Sequence, residues 1–79
     1  MDLTKNQIIC SQRIKELRNS IHLNTKEFSE ELQIPYTAVL KCENEYKFPR
    51  ITVLVKISDY FSVSLDYLLG MSDTPHKNE

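Results

Sequence analysis

The stretch TKEFSEELQIPYTAVLKCENE, residues 25–45, decides how this chain is read. Just ahead of it, Asn24 pairs with Glu27 as a capping box, and Leu23 with Phe28 as the apolar staple of the same helix start. Phe28 and Leu32 then fall on the inward side of a short helix. Pro35 stops that helix, because the residue before a proline is driven out of the helical region. The same proline suits the opening of another helix, where its missing N–H costs nothing. That helix covers 36–44, with Ala38, Val39 and Cys42 inward. Two short helices joined by a tight turn are the outcome.

Outward from this pair the helix signals continue. Thr4 with Gln7 reads as a capping box and Leu3 with Ile8 as a staple, and the stripe Cys10, Ile14, Leu17, Ile21 extends a helix over 5–20. Residues 45–50 form a polar connection. ITVLVKI, residues 51–57, is rich in β-branched residues that favour strands. A lone strand would have no partner here, and Ile51, Leu54, Ile57 or Ser58, and Phe61 fit a helical stripe, so 51–61 is read as helix. Ser64, with Val63 and Leu68 as a third staple, opens a last helix that Gly70 ends. The expectation is all-α: one five-helix domain over residues 1–70 and a flexible C-terminal tail over 71–79. The spacing of the two helices at 25–32 and 36–44 is that of a helix-turn-helix, whose second helix enters a DNA groove.

Composition narrows the classes further. Seventy-nine residues allow one small core. One glycine and three prolines leave little turn chemistry for a many-stranded fold. Cys10 and Cys42 fall on core stripes and behave as small apolar groups rather than a disulfide or metal cage. His22 and His76 are far apart, so no metal and no cofactor is expected. No phosphate loop or nucleophile–base pairing is present, which argues against an enzyme. No leader and no run of eighteen apolar residues is seen, so a cytoplasmic protein with no membrane partner is expected.

Arg13-Ile14-Lys15-Glu16-Leu17-Arg18, Leu23-Asn24, Glu27-Phe28, Glu43, Pro49 and Val63-Ser64-Leu65-Asp66-Tyr67-Leu68-Leu69, taken in register, resemble the Xre (Cro/CI-type) helix-turn-helix domains. The resemblance runs without gaps over 13–69. It implies a five-helix lambda-repressor-like domain that binds a double-stranded DNA operator, as a homodimer, in transcription regulation. It places Arg18 and Glu43 as a buried ion pair joining the first helix to the recognition helix. It places Asn24, Thr25 and Lys26 at the start of the helix that rests on phosphates, and Tyr36, Thr37, Leu40 and Lys41 on the outward side of the recognition helix. Departures are Thr25 in place of the family's glutamine, Pro35 in place of a Ser or Thr cap, and His22, Gln33 and Glu45 in place of glycines at helix ends. Gln33 is expected to be left-handed; non-glycine residues there cost on the order of 1–2 kcal/mol.

The outward side lacks the Arg, Asn and Gln of the strong bidentate base pairings. Thr37 and Leu40 suit a thymine methyl, Lys41 guanine or phosphate, and Tyr36 a phosphate; on a helix that meets no nucleic acid they are simply solvated. Lys47 and Arg50 flank Phe48-Pro49 in the following loop, where basic groups would set register on the DNA backbone. The net charge is −1, yet residues 36–56 hold four bases against two acids while residues 57–79 hold one against four. So slight a positive footprint would neutralise few phosphates and give a shallow salt dependence. Val53, Tyr60, Tyr67 and Met71 are extra apolar groups that need cover: either the fifth helix and the tail supply it, or, as the resemblance implies, they form a two-fold dimer interface that sets two recognition helices about one DNA turn apart.

The expected function is therefore a sequence-specific regulator, a repressor that blocks polymerase from a pseudo-palindromic operator. The alternative is a protein-interaction module of the same fold, antitoxin-like or the regulatory protein partner of another chain, with weak or no DNA binding.

Overall fold

A computed structural model describes residues 2–76. Among them five helices follow in order: α1 Thr4–Ser20, α2 Thr25–Leu32, α3 Tyr36–Glu45, α4 Ile51–Phe61 and α5 Leu65–Leu68. The described residues contain no strand. α1 and α2 both pack on α3, while α5 bridges α4 and α1. Phe28, Ile14, Ile57, Leu68, Cys10 and Cys42 lie at the centre and are fully buried. Phe28 stacks on Phe61, with ring centroids 6.0 Å apart, which fastens α2 to the end of α4.

The helix starts follow local chemistry. The capping box of α2 is complete: the Glu27 amide donates to Asn24 Oδ1 at 2.8 Å, and the Asn24 amide to Glu27 Oε1 at 3.0 Å. Ser64 caps α5 by accepting from the Tyr67 amide at 3.0 Å. The start of α1 differs from the sequence expectation. Leu3, not Thr4, is the boundary residue, and its side chain cannot cap. The Thr4 amide instead donates to Asp2 Oδ1 at 2.9 Å. Hydrogen bonds from the Thr4 side chain and then its amide hold the Asp2 carboxyl below the usual carboxylate range.

Every one of these helices ends beside a left-handed residue: His22, Gln33, Tyr46, Ser62 and Gly70. Four are not glycine, so each bears the crowding of Cβ against the carbonyl that L-residues ordinarily avoid. Gln33 has φ 55°, as expected for it. The left-handed position after α3 is Tyr46 rather than Glu45, because the helix runs one residue further than its inward stripe suggested. Ser62 was not anticipated. At His22, Gln33 and Ser62 the ends share one geometry, in which the left-handed residue and its successor donate back to the last helical turn. The successors Leu23, Ile34 and Val63 all pack into the core.

One further expectation is corrected: Val53, expected at a dimer interface, is inside the core. Val53 is 4% exposed, in the core beside Leu54 and Ile57, whereas Ile51 is 62% exposed. The apolar run offered two helical phases, and the one that packs is 53, 54, 57, 58. The segment after Gly70 is also bonded where it is described. Arg13, within α1, donates to the Tyr67 and Ser72 carbonyls and to Asp73, and the Ser64 amide donates to the Pro75 carbonyl at 2.9 Å. The last three residues of the expected tail, 77–79, lie outside the described residues.

Cys10 and Cys42 meet across α1 and α3 as free thiols, both buried. The hydrogen bond with Cys10, and then burial, pushes the Cys42 thiol up, so it stays protonated.

Candidate nucleic-acid interface

α3 is set by what it buries. Val39 and Cys42 enter the core, and Glu43 follows them on the same side of the helix. A carboxylate there is tolerable only if paired. Arg18 supplies the pair: Nε donates to Glu43 Oε2 and Nη2 to Oε1, both at 2.9 Å. Arg18 Nη1 donates to the Leu23 carbonyl at 2.7 Å, and Ser11 Oγ to the Glu43 carbonyl at 3.4 Å. One guanidinium thus joins α1, the turn before α2, and the last turn of α3. Such a bidentate contact fixes rotation as well as position.

With that side committed inward, Tyr36, Thr37 and Lys41 are exposed and Leu40 is half-buried. Pro35 stands at the helix boundary with φ −62° and ψ 132°, accepting from the amides of Ala38 and Val39. Beyond the other end, the 46–50 loop turns back beside α3. Between them lies a groove of about 300 Å³ lined by Pro35, Thr37, Ala38, Lys41, Lys47, Phe48, Pro49, Arg50 and Val53. The buried Val53 side chain is its floor. Three cations line this concavity and no acidic side chain does. Low-dielectric walls and charges of one sign focus potential onto such a site.

The structure therefore brings Thr37, Lys41, Lys47 and Arg50 together in one place. Tyr36 and Leu40 are on α3 but outside the groove's lining. Asn24, Thr25 and Lys26 stand at the start of α2, where Asn24 Oδ1 is engaged by its own capping box. Lys56, counted in the sequence with the positive segment, donates its Nζ to the Gln33 carbonyl at 2.8 Å. It thereby serves the end of α2, where a cation complements the helix dipole.

The residues considered for dimer contact differ in their surroundings, and Val53 among them is buried. Tyr60 is exposed and its hydroxyl lies 3.3 Å from Glu31 Oε1 on α2. Partial burial, then the Glu31 carboxylate, pushes its phenol up. The Tyr67 ring is covered by the Arg13 guanidinium, 4.1 Å from its centroid. Met71 is 72% exposed. Arg13 is the residue the sequence did not single out: its acceptors lie 54 to 60 positions away, beyond any local pattern.

Comparison with known proteins adds to this geometry. The profile of the helix-turn-helix family matches residues 14–68, from the middle of α1 to the end of α5. Three relatives are similar over most of the chain. The HTH-type transcriptional regulator ImmR of Bacillus subtilis (strain 168) is 37% identical over 68 residues, 86% of this chain and 54% of its own length. The uncharacterized HTH-type transcriptional regulator YobD of the same organism is 33% identical, over 81% of this chain and 57% of its own. The HTH-type transcriptional activator BcrR of Enterococcus faecalis is 32% identical, over 76% and 29%. The chain spans about half the length of the first two and less of the third. No solved structure matches it.

Proposed function

The chain belongs to the helix-turn-helix family, and from that premise we propose that it is a sequence-specific DNA-binding regulator of transcription that acts as a repressor. α3 enters the major groove, with Thr37, Leu40 and Lys41 toward base edges and Tyr36 toward a phosphate. Lys47 and Arg50 lie along the backbone, and Asn24, Thr25 and Lys26 bring the start of α2 to a phosphate. Two copies occupy a pseudo-palindromic operator, meeting through Tyr60, Tyr67 and Met71, and exclude polymerase from the promoter beneath. The protein works in the cytoplasm, on the nucleoid while bound; no helix among the described residues is long and apolar enough to cross a membrane.

The groove carries this reading. Its three cations are arrayed beside the exposed side of a helix whose rotation is set by Arg18 and Glu43. Selection from randomised duplex DNA at two salt concentrations tests it. Enrichment of a palindromic consensus, with affinity falling as salt rises, is the expected result. A folded protein that enriches no sequence even at low salt overturns it. That outcome would favour the interaction module, a reading for which the exposed Tyr36 and half-buried Leu40 are suited.

A further inference from the structure

Cys10 and Cys42 are the two thiols of this chain, and the DNA-binding reading gives them no task. They stand where α1 packs on α3. Beside them, Ser11 Oγ donates to the Glu43 carbonyl at 3.4 Å. A serine side chain extends only one bond beyond Cβ, so a contact from it to a main-chain carbonyl brings the two backbones close. Cys10, Ser11 and Cys42, all buried, are the small side chains that permit this approach. A disulfide needs such a place, because its Cα atoms stand about 4.4–6.8 Å apart.

The pair is asymmetric. Cys42 donates to Cys10, and that hydrogen bond holds the Cys10 thiol below its ordinary value against the opposing effect of burial. The same bond keeps the proton on Cys42. A sulfur with thiolate character beside one that retains its proton is the arrangement of an attacking and a resolving cysteine. Each residue is only 1% exposed, so an oxidant reaches the sulfurs when α1 and α3 part locally, and a small uncharged one is favoured.

We propose that Cys10 and Cys42 form a reversible disulfide with hydrogen peroxide as oxidant, and that the bridge weakens DNA binding by displacing α3. The Cys10 sulfur attacks one peroxide oxygen and the O–O bond breaks. That oxygen stays on Cys10 as a sulfenic acid, and the other leaves with the Cys10 proton as water. Cys42 then attacks the sulfenic sulfur; the S–S bond forms, the S–O bond breaks, and a second water carries off the Cys42 proton. Two electrons pass from the thiols to the peroxide. A dithiol reverses the change by exchange.

The consequence for α3 follows from its neighbours. An S–S bond is about 2.05 Å long, which draws the sulfurs closer than a hydrogen bond does. Glu43, next along α3, is held by Arg18 through two 2.9 Å bonds that set the rotation of the helix. A close-packed core transmits the shift of Cys42 to that pair and to the exposed side of α3. This second half of the inference rests on the DNA-binding reading above.

The full chain, treated with hydrogen peroxide and then catalase, tests both halves. After tryptic digestion without reduction, peptides 6–13 and 42–47 should be found joined, from protein that stays a single chain on a denaturing gel. Affinity for a duplex carrying the selected consensus should fall about tenfold, the equivalent of one lost base contact. Dithiothreitol should separate the peptides and restore the affinity. Cys10→Ala lacks the attacking sulfur and should bind alike before and after peroxide. If that variant does not fold, the joined peptides and the reversal in the unmutated chain decide alone. Unjoined peptides, or peptides joined only between chains, overturn the proposal. So does a bridged chain that binds within twofold of the reduced one, which leaves the DNA-binding reading intact. A reduced chain that binds no duplex removes that reading and the displacement with it, while the peptides still decide the bridge.

Discussion

Arg18 and Glu43 face each other through two parallel 2.9 Å bonds, with the carboxylate side chain only 4% exposed. Pairs so deeply placed are poor sources of net stability, since desolvation offsets most of the attraction. Losing one member is another matter. Arg18→Ala strands a buried carboxylate and should destabilise the fold by about 3–5 kcal/mol. Arg18→Met combined with Glu43→Leu should recover most of that loss. Urea denaturation of both proteins measures the difference; a single variant as stable as wild type contradicts it.

Gln33→Gly should stabilise. Its left-handed φ of 55° costs a side-chain residue on the order of 1–2 kcal/mol, against which a glycine loosens the unfolded chain by about 0.4–1. The net gain lies between nothing and about 1.6 kcal/mol, and each kcal/mol corresponds to a rise of about 4–8 °C in a domain of this size. The Lys56 contact survives the change, because it uses the backbone carbonyl. Calorimetry showing a lower melting temperature would mean that the side chain holds the turn in some other way.

Asp2 ties the start of α1 to pH. Its carboxyl is held below the ordinary value of 3.8 by Thr4, so the native state keeps it ionised where the unfolded chain takes up a proton. The stabilisation is present above that ordinary value and disappears as pH falls through the lower native one. The Thr4 amide resonance should therefore titrate with a midpoint below 3.8, and Asp2→Asn should abolish the titration.

The division of labour along the groove gives a sharper test of α3. Lys47→Ala should weaken all duplexes alike, while Thr37→Ala and Lys41→Ala should change which bases are preferred. Repeating the randomised selection with each variant separates the two. A uniform loss in all three would place the base-reading surface elsewhere.

Tyr60→Glu should reduce self-association if two copies pair through this face, placing a second carboxylate near Glu31. Sedimentation before and after the change reads the mass directly. A protein monomeric in both states removes that interface.

Short-range chemistry was the legible part of this molecule. Asn24, Glu27, Pro35, Ser64 and Gly70 each act within a few residues of themselves, and they set the bounds of α2, α3 and α5. Where the run around Val53 is apolar on nearly every side, contrast between inward and outward vanishes, and only packing selected the phase. Glu45 and Tyr46 differ by a single residue at a helix end, where one more hydrogen bond decides. At α1, a capping box needs its Ser or Thr outside the helix, and Thr4 is inside. The groove itself could be anticipated only as residues; that Lys41 and Arg50 share one concavity is a property of the loop's return.

Arg13 has a practical bearing on where this protein can be cut. Its guanidinium lies across Tyr67 and holds Ser72, while the amide of Ser64 is engaged by Pro75. A fragment ending at Gly70 would keep all five helices yet take away the Ser72 and Asp73 partners of the arginine and the Pro75 acceptor of the Ser64 amide. Expression boundaries are therefore better drawn beyond Pro75 than at the last turn of α5.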